Sequence, residues 1–241
     1  MKTIGILGGL GPEATVDYYK EIIKGFDKIN GNGSLNYPEI VLYSVTMSRF
    51  IGLLEEDKYD KASDYLADCL NGIKNAGADF AVLSANTPHL LFNEIQGQVD
   101  LPLISILEVC AQKAQSIGAE RCGLLGTKFT MQKDFYQKVF QEYNIEIFVP
   151  DEQQVEFIHS KLFDELELGI FKEKTKQELL EIVEDLKEKQ RIDAVILGCT
   201  EFPLMFTEDR YLNLPFLNTT CIHVNAIINE CLKSENNASE K

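Results

Sequence analysis

One cysteine of this chain follows an apolar run, at a position where a thiol could do acid–base chemistry. Cys199 comes directly after Ala194-Val195-Ile196-Leu197-Gly198. The earlier segment 80–87 has the same shape, and there Ala85 stands where the cysteine would be. A pair of thiols could remove a proton from one face of a carbon and return one to the other face. The sequence therefore offers one thiol and one methyl group for a reaction that two thiols would share.

Polar loops follow both apolar runs. The earlier loop is Ser84-Ala85-Asn86-Thr87-Pro88-His89, and the later one is Gly198-Cys199-Thr200-Glu201-Phe202-Pro203. Asn and Thr beyond a buried strand are typical of a helix cap, but they can also form a polar nest that binds a carboxylate. A thiol at a strand–helix junction can have a lowered pKa and react as thiolate. An inert cysteine and a structural histidine are the alternatives, and the match between the two loops favours the functional interpretation.

A glycine-rich loop lies near the start of the chain. Within residues 8–15, Gly9, Gly11 and Ala14 follow the pattern G-x-G-x-x-A. A dinucleotide site also needs an acidic residue at the end of the second strand, whereas residues 43–48 contain none. The sequence therefore does not favour a nicotinamide or flavin cofactor. Two interpretations stay open: backbone N–H groups that hold an anion such as a carboxylate, and a purely structural tight turn.

Composition excludes several classes of function. The 241 residues include 23 Lys and Arg against 38 Asp and Glu, a net charge of -15 that argues against a nucleic-acid partner. No signal peptide or membrane-spanning apolar run is evident, which predicts a soluble, cytoplasmic protein without a membrane partner. The six cysteines show no C-x-x-C spacing, so we expect reduced thiols and no metal site.

Short apolar runs alternate with longer amphipathic stretches along the whole chain. This order predicts an α/β fold with parallel sheets covered on both faces by helices. The predicted strands are 3–7, 40–45, 80–83, 122–125, 145–149, 194–197 and 215–217. The predicted helices are 12–25, 57–76, 106–116, 130–143, 152–168, 174–189 and 220–232.

The chain also repeats itself. Gly8 and Gly126 are 118 positions apart in similar segments, and Ala85 and Cys199 are 114 apart. Two copies of one α/β unit explain these similar offsets. We expect a first lobe of residues 1–107 plus 212–241, to which the last strand and helix return, and a second lobe of residues 108–211. The active site is predicted in the cleft between two such pseudo-symmetric lobes.

Four segments together carry a resemblance to a known family. Residues 5–15, Asn86-Thr87-Pro88-His89, residues 123–131 and residues 198–203 resemble the aspartate/glutamate racemase family. These are cofactor-independent amino-acid racemases, and the resemblance covers nearly the whole chain. It implies an isomerase that needs no pyridoxal phosphate or other cofactor, acts on aspartate or glutamate, and forms a homodimer.

The resemblance also implies roles for individual residues. Cys199 matches the second of two catalytic cysteines, and Ala85 occupies the position of the first, where some members carry threonine. A family aspartate near the last helix is Asn218 here. Thr87 and His89 are the nearest candidates to replace the missing thiol. The residues predicted to bind substrate are Gly9, Arg49, Asn86, Thr87, Thr127, Thr200 and Glu201.

Three hypotheses about the activity follow from Ala85, which has no ionisable group. In the first, the protein is a racemase-like enzyme of reduced or altered activity, in which Ser84, Thr87, His89 or a bound water serves the second face. In the second, Cys199 delivers a single proton in an isomerisation or decarboxylation of a small carboxylic acid. In the third, the protein binds an acidic metabolite without turning it over.

Overall fold

The structure is a computed structural model that describes residues 1–31 and 33–233. The chain divides into two compact units. Among the described residues, the first unit consists of Met1–Ser105 and the residues from His223 to 233, and the second unit consists of Ile106–Ile222.

The first unit contains a four-stranded parallel sheet in the order β2-β1-β3-β4. Its strands are β1 Ile4–Gly8, β2 Ile40–Ser44, β3 Phe80–Leu83 and β4 Leu103–Ile104. Its helices are α1 Pro12–Asn30, α2 Met47–Glu55, α3 Tyr59–Asn75 and α4 Phe92–Gln98. A 3₁₀ turn over Thr87–Leu91 connects β3 to α4.

The second unit contains a five-stranded sheet in the order β6-β5-β7-β9-β8, in which only β8 runs antiparallel to its neighbour. Its strands are β5 Arg121–Leu125, β6 Glu146–Phe148, β7 Ala194–Leu197, β8 Arg210–Tyr211 and β9 Leu214–Asn218. Its helices are α5 Ile106–Ser116, α6 Lys128–Gln132, α7 Phe135–Gln141, α8 Glu152–Asp164, α9 Glu173–Gln190 and α10 Phe202–Met205. The last helix, α11 Thr219–Leu232, begins in this unit and ends in the first.

Spacing of apolar residues explains how helices cover the first sheet. Tyr18, Ile22 and Phe26 recur every fourth residue along α1, so they share one face of the helix, and all three are fully buried. They pack in one cluster with Ile4 and Ile6 of β1. The residues of α11 in the same cluster are Val224, Ile227, Ile228 and Cys231.

Both sheets are dominated by parallel strands and flanked by helices, which confirms the predicted α/β class. One part of the expected organisation is wrong. The predicted strand 215–217 does not return to the first lobe, because β9 pairs with β7 of the second sheet, with Phe216 beside Val195. The second unit therefore continues to Ile222 rather than ending at residue 211. No helix among residues 1–31 and 33–233 is long and apolar enough to cross a bilayer.

Candidate active site

Cys199 lies at the carboxyl end of β7, which is flanked by β5 and β9 and fully buried. The preceding Gly198 donates its N–H to the carbonyl of Leu125 on β5, at 2.7 Å. A Cβ at Gly198 would lie only 3.0 Å from that same carbonyl oxygen, so a larger residue would force the strands apart. Gly198 thus allows the end of β7 to lie close to β5. Cys199 then follows at the carboxyl end of the strand, where functional loops of parallel sheets usually lie.

The Cys199 thiol is paired with a carboxylate. Its Sγ donates to Oε2 of Glu201 at 2.9 Å, while the Thr200 hydroxyl donates to Oε1 of Glu201 at 2.8 Å. Cys199 is 9% exposed and Glu201 is 8% exposed. Three consecutive residues therefore form a small hydrogen-bonded network in which both carboxylate oxygens accept a side-chain donor.

This network changes the expected ionisation of the thiol. Burial, and then the negative charge of Glu201, raise the pKa of Cys199 well above its ordinary value. The helix that follows, α10, has four residues and supplies little of the dipole that would favour a thiolate. The expectation of a lowered pKa is therefore wrong, and at neutral pH the free protein holds Cys199 as a thiol that can donate a proton.

A second carboxylate, which the sequence did not single out, lies beside this network. Glu167 lies on the 3₁₀ turn Leu166–Leu168, and an oxygen of its carboxylate, the Cys199 sulfur and a Glu201 oxygen all lie within 4.8 Å of one another. Burial, and then the charge of Glu201, raise the pKa of Glu167 to about 7. A carboxyl group that titrates near neutral pH beside a thiol is suited to general acid–base work.

Glu167, Cys199 and Glu201 are also the one group of ligating side chains, within the described ranges 1–31 and 33–233, close enough to share a cation. Both Glu201 oxygens already accept hydrogen bonds from the thiol and from a hydroxyl. Two carboxylates and a protonated thiol give no further indication of a metal, and we assign none.

Two other predicted residues of the second unit cap helices. Thr127 precedes α6, and its hydroxyl accepts the N–H of Thr130 at 3.2 Å. Asn218 precedes α11, and its side-chain oxygen accepts the N–H of Cys221 at 3.0 Å. These side chains satisfy N–H groups that a helix leaves unpaired at its first turn.

In the first unit, the glycine loop after β1 is organised by one hydroxyl. Thr15 Oγ1 accepts the N–H of Gly9 at 2.9 Å and donates to the carbonyl of Gly11 at 3.0 Å. Gly9 has φ +84°, and a Cβ there would lie 2.5 Å from the carbonyl oxygen of Val45. The sequence predicts that the loop either binds an anion through its N–H groups or forms a structural tight turn. Because the N–H of Gly9 already has a partner, the structure favours the tight turn.

His89, on the turn after β3, is held by the main chain. It is 3% exposed, and its Nδ1 lies 2.9 Å from the carbonyl oxygen of Ala85, so this nitrogen carries the hydrogen and donates. Its ring stacks on Phe92 with centroids 5.3 Å apart. Burial, and then the nearby His223, lower the pKa of His89 to about 3, which makes it a neutral imidazole at neutral pH.

The remaining predicted residues of the first unit lie in the segments that follow β2 and β3. Ala85 and Asn86 are buried, and Thr87 is half-buried at the start of the 3₁₀ turn. Arg49 lies on α2 and is exposed, with its guanidinium 4.0 Å from the centroid of the Tyr65 ring, a cation–π contact.

The chain is similar to known proteins over most of its length. The family model Asp/Glu/Hydantoin racemase matches residues 7–227. The broad specificity amino-acid racemase RacX of Bacillus subtilis (strain 168) is 27% identical over 202 residues, which covers 82% of this chain and 85% of RacX.

Two solved structures are similar over almost their whole length. One is PH1733 from Pyrococcus horikoshii OT3, an aspartate racemase homologue, with 32% identity, a TM-score of 0.83 and coverage of 96% of this chain and 99% of that one. The other is a putative Asp/Glu racemase from Yersinia pestis, with 30% identity, a TM-score of 0.87 and coverage of 97% and 100%.

Proposed function

Because the chain belongs to the Asp/Glu/hydantoin racemase family, we propose that it is a cofactor-independent isomerase that exchanges the α-proton of aspartate or glutamate. The observation that carries this proposal is the Cys199 thiol, hydrogen-bonded to Glu201 and beside Glu167 at the end of a central strand. Family membership supports an amino-acid racemase, and the thiol network supplies the acid–base groups.

Cys199 acts first as a proton donor in this proposal. Its raised pKa means that the resting group is S–H, ready to protonate a carbanion-like α-carbon. In the opposite direction the thiol must be ionised before it can remove a proton. Glu167, whose pKa is about 7, can take up or release that proton near neutral pH. Thr200 holds Glu201 in place for both directions.

The second proton must come from a group other than a cysteine, because Ala85 cannot ionise. Ser84 donates to the carbonyl of Leu7 at 3.3 Å, and His89 donates to the carbonyl of Ala85. Thr87 and a water molecule are therefore better candidates than the two side chains already engaged with the main chain. Arg49, Asn86 and Thr200 are proposed to bind the substrate carboxylates, while Gly9 and Thr127 shape the loops that carry them.

A one-proton reaction is the second candidate function. The pairing of a protonated thiol in one loop with Ala85 in the corresponding loop favours it specifically. In such an isomerisation or decarboxylation of a small carboxylic acid, Cys199 would deliver a proton to one face only. An inactive binder of an acidic metabolite is the third possibility, in which the same groups hold a ligand without exchange.

One experiment separates these functions. The purified protein, without pyridoxal phosphate, is incubated in D₂O with L- and D-aspartate and L- and D-glutamate, and α-deuteration and optical rotation are followed. We expect deuteration with inversion. Deuteration with retention would mean that only one face is served. Binding without any exchange would overturn the racemase proposal for these substrates.

We further propose that the protein works as a homodimer through the edge of β2. This outer strand, Ile40–Ser44, contains no charged residue, and Leu42 and Tyr43 are each 44% exposed on its opposite faces. An uncharged, exposed edge strand can pair with an identical strand about a two-fold axis. Light scattering should give twice the chain mass, and Leu42→Lys should convert the protein to a monomer. A dimer that survives this change would exclude the β2 edge.

We also propose a cytoplasmic location. None of the six cysteines, all of which lie in the described part of the chain, forms a disulfide, and oxidising compartments favour disulfides. Fractionation of cells that express the chain should recover it with cytoplasmic markers, and recovery outside that fraction would contradict the proposal.

A further inference from the structure

Glu165 is a buried carboxylate with an unusually complete set of partners. Its Oε1 accepts from the ammonium groups of Lys161 at 2.9 Å and Lys172 at 3.2 Å, and its Oε2 accepts from the Thr175 hydroxyl at 2.5 Å. Only 7% of its side chain is exposed. The three donors come from α8, from the residue before α9 and from α9 itself, so one carboxylate connects two helices.

The main chain of Glu165 is tied to the same region. Its carbonyl accepts the N–H groups of Leu168 at 3.1 Å and Ile170 at 2.9 Å, and these close the short 3₁₀ turn that follows. Gly169 then takes φ +71° and donates its N–H to Leu166 at 2.9 Å. Glu165 is thus the point at which the end of α8, the turn and the start of α9 meet.

Glu165 and Glu167 lie two residues apart in opposite environments. Hydrogen bonds from Thr175 and then Lys161 lower the pKa of Glu165 to about 2. Burial and the charge of Glu201 raise the pKa of Glu167 to about 7. The first carboxylate is therefore permanently ionised and fully paired, whereas the second can change its protonation state near neutral pH.

We propose that Glu165 is a positioning residue, whose paired carboxylate holds the turn Leu166–Leu168 between α8 and α9 and so keeps the Glu167 carboxylate beside Cys199. The turn itself has three residues, and Glu167 is exposed as a whole residue although its carboxylate lies beside Cys199 and Glu201, where it is partly desolvated. When the anchor is lost, the Glu167 carboxylate can swing into water. Its burial and its proximity to Glu201 then decrease together.

The charged groups near Glu165 and Glu167 determine how a change in the pKa of Glu167 is interpreted. Glu201 and Cys199 face Glu167. Lys161 and Lys172 face Glu165, and Glu178 and Asp164 lie near Lys161. None of the groups near Lys161 raises the pKa of Glu167, so a change there must come from movement of the turn.

The test is a titration of the Glu167 side-chain carboxyl by ¹³C NMR, assigned by its disappearance in Glu167→Gln. In the wild-type chain we expect a midpoint near 7. In Glu165→Gln, which keeps the side-chain shape but replaces one acceptor oxygen by an amide donor, the midpoint should fall towards the ordinary glutamate value of about 4.3. Thr175→Val, which removes one of the three donors, should lower it by a smaller amount.

Asp164→Asn is the matched control, because it removes an exposed carboxylate next to Glu165 and near Lys161 but keeps the three donors of Glu165, and it should leave the midpoint unchanged. A Glu167 midpoint that stays near 7 in a folded Glu165→Gln protein would overturn the proposal, even if that protein were less stable. If Glu165→Gln does not fold, Thr175→Val decides in the same way.

This inference rests on the proposed function only where it gives Glu167 a part in the reaction. The NMR titration needs no substrate. Absence of α-proton exchange would therefore reject the proposed function alone, and an unmoved titration would reject the positioning role alone. If both hold, the pH profile of α-proton exchange should lose its inflection near 7 in Glu165→Gln and in Glu167→Gln alike.

Discussion

The loops after β3 and β7 occupy equivalent places in two similar sheets, yet they hold their polar groups in different ways. After β3, the Ser84 hydroxyl and the His89 imidazole both donate to main-chain carbonyls. After β7, the Cys199 thiol and the Thr200 hydroxyl both donate to one side chain, Glu201. A carbonyl acceptor fixes a loop, whereas a carboxylate acceptor also couples it to a charge. The first loop is therefore held through main-chain carbonyls, and the charge beside the second loop is the feature on which the proposed proton transfer depends.

The largest expected effect follows from removing the thiol of the second loop. Cys199→Ala should lower α-proton exchange by about 10²–10⁴-fold, which is the usual contribution of a general acid–base. The rate is measured by NMR in D₂O with the substrate found active. Cys221→Ala is the control, because Cys221 is the exposed cysteine of the same unit and should leave exchange unchanged. Exchange that persists without the Cys199 thiol would assign the acid to another group.

A somewhat smaller effect is expected from giving the first loop the group that it lacks. Ala85→Cys should raise the ratio of inversion to retention, by up to about 10²-fold where the new thiol meets the requirements of a general base. Ala85→Ser controls for the added atom, because an aliphatic hydroxyl is a much weaker acid than a thiol and should give a much smaller gain. Equal gains in both variants would mean that filling space, not ionisation, was responsible.

The smallest effect concerns stability in acid and tests whether the histidines of the first unit are structural. His223 is fully buried, accepts a hydrogen bond from Tyr18 at Nδ1 and donates from Nε2 to the carbonyl of Ile104. Burial lowers the pKa of His223 from 6.5 to about 4. Below about pH 6.5, His223 therefore binds a proton in the unfolded chain but not in the folded chain. The free energy of unfolding should accordingly decrease as pH falls from 6.5 towards 4.

Urea unfolding, measured from about pH 6.5 to about pH 4, checks how steeply the free energy of unfolding varies with pH. His223→Gln removes one such group, and its free energy of unfolding should vary less steeply with pH than that of the wild-type chain. Identical slopes in the two proteins would show that His223 is not responsible for the acid sensitivity.

Much of the framework could be predicted from the sequence, because strands in covered parallel sheets are nearly continuous apolar runs. The strands over 80–83 and 194–197 have the predicted bounds, and the internal repeat correctly placed Ala85 and Cys199 after corresponding strands. The sheet to which 215–217 belongs could not be predicted in this way, since a buried strand satisfies either sheet equally well. Pairing with β7 decides it.

The electrostatics of the site could not be predicted either. Glu167 stands 32 positions before Cys199 in a stretch rich in acidic residues, and nothing in its spacing distinguishes it. The direction of the Cys199 pKa shift depends first on the burial of the thiol and then on the Glu201 carboxylate beside it, and both arise only in the folded chain. Composition of the loop was enough to locate the thiol, but not to determine which protonation state it adopts.

The hydrogen bond between Cys199 and Glu201 also bears on which molecules the protein admits. Ionising the thiol places a second negative charge 2.9 Å from a carboxylate, with Glu167 close by. A ligand that carries an ammonium group relieves this repulsion, whereas the corresponding hydroxy acid adds only its own negative charge. We therefore expect the site that contains Cys199 and Glu201 to bind zwitterionic amino acids more tightly than hydroxy acids of the same shape.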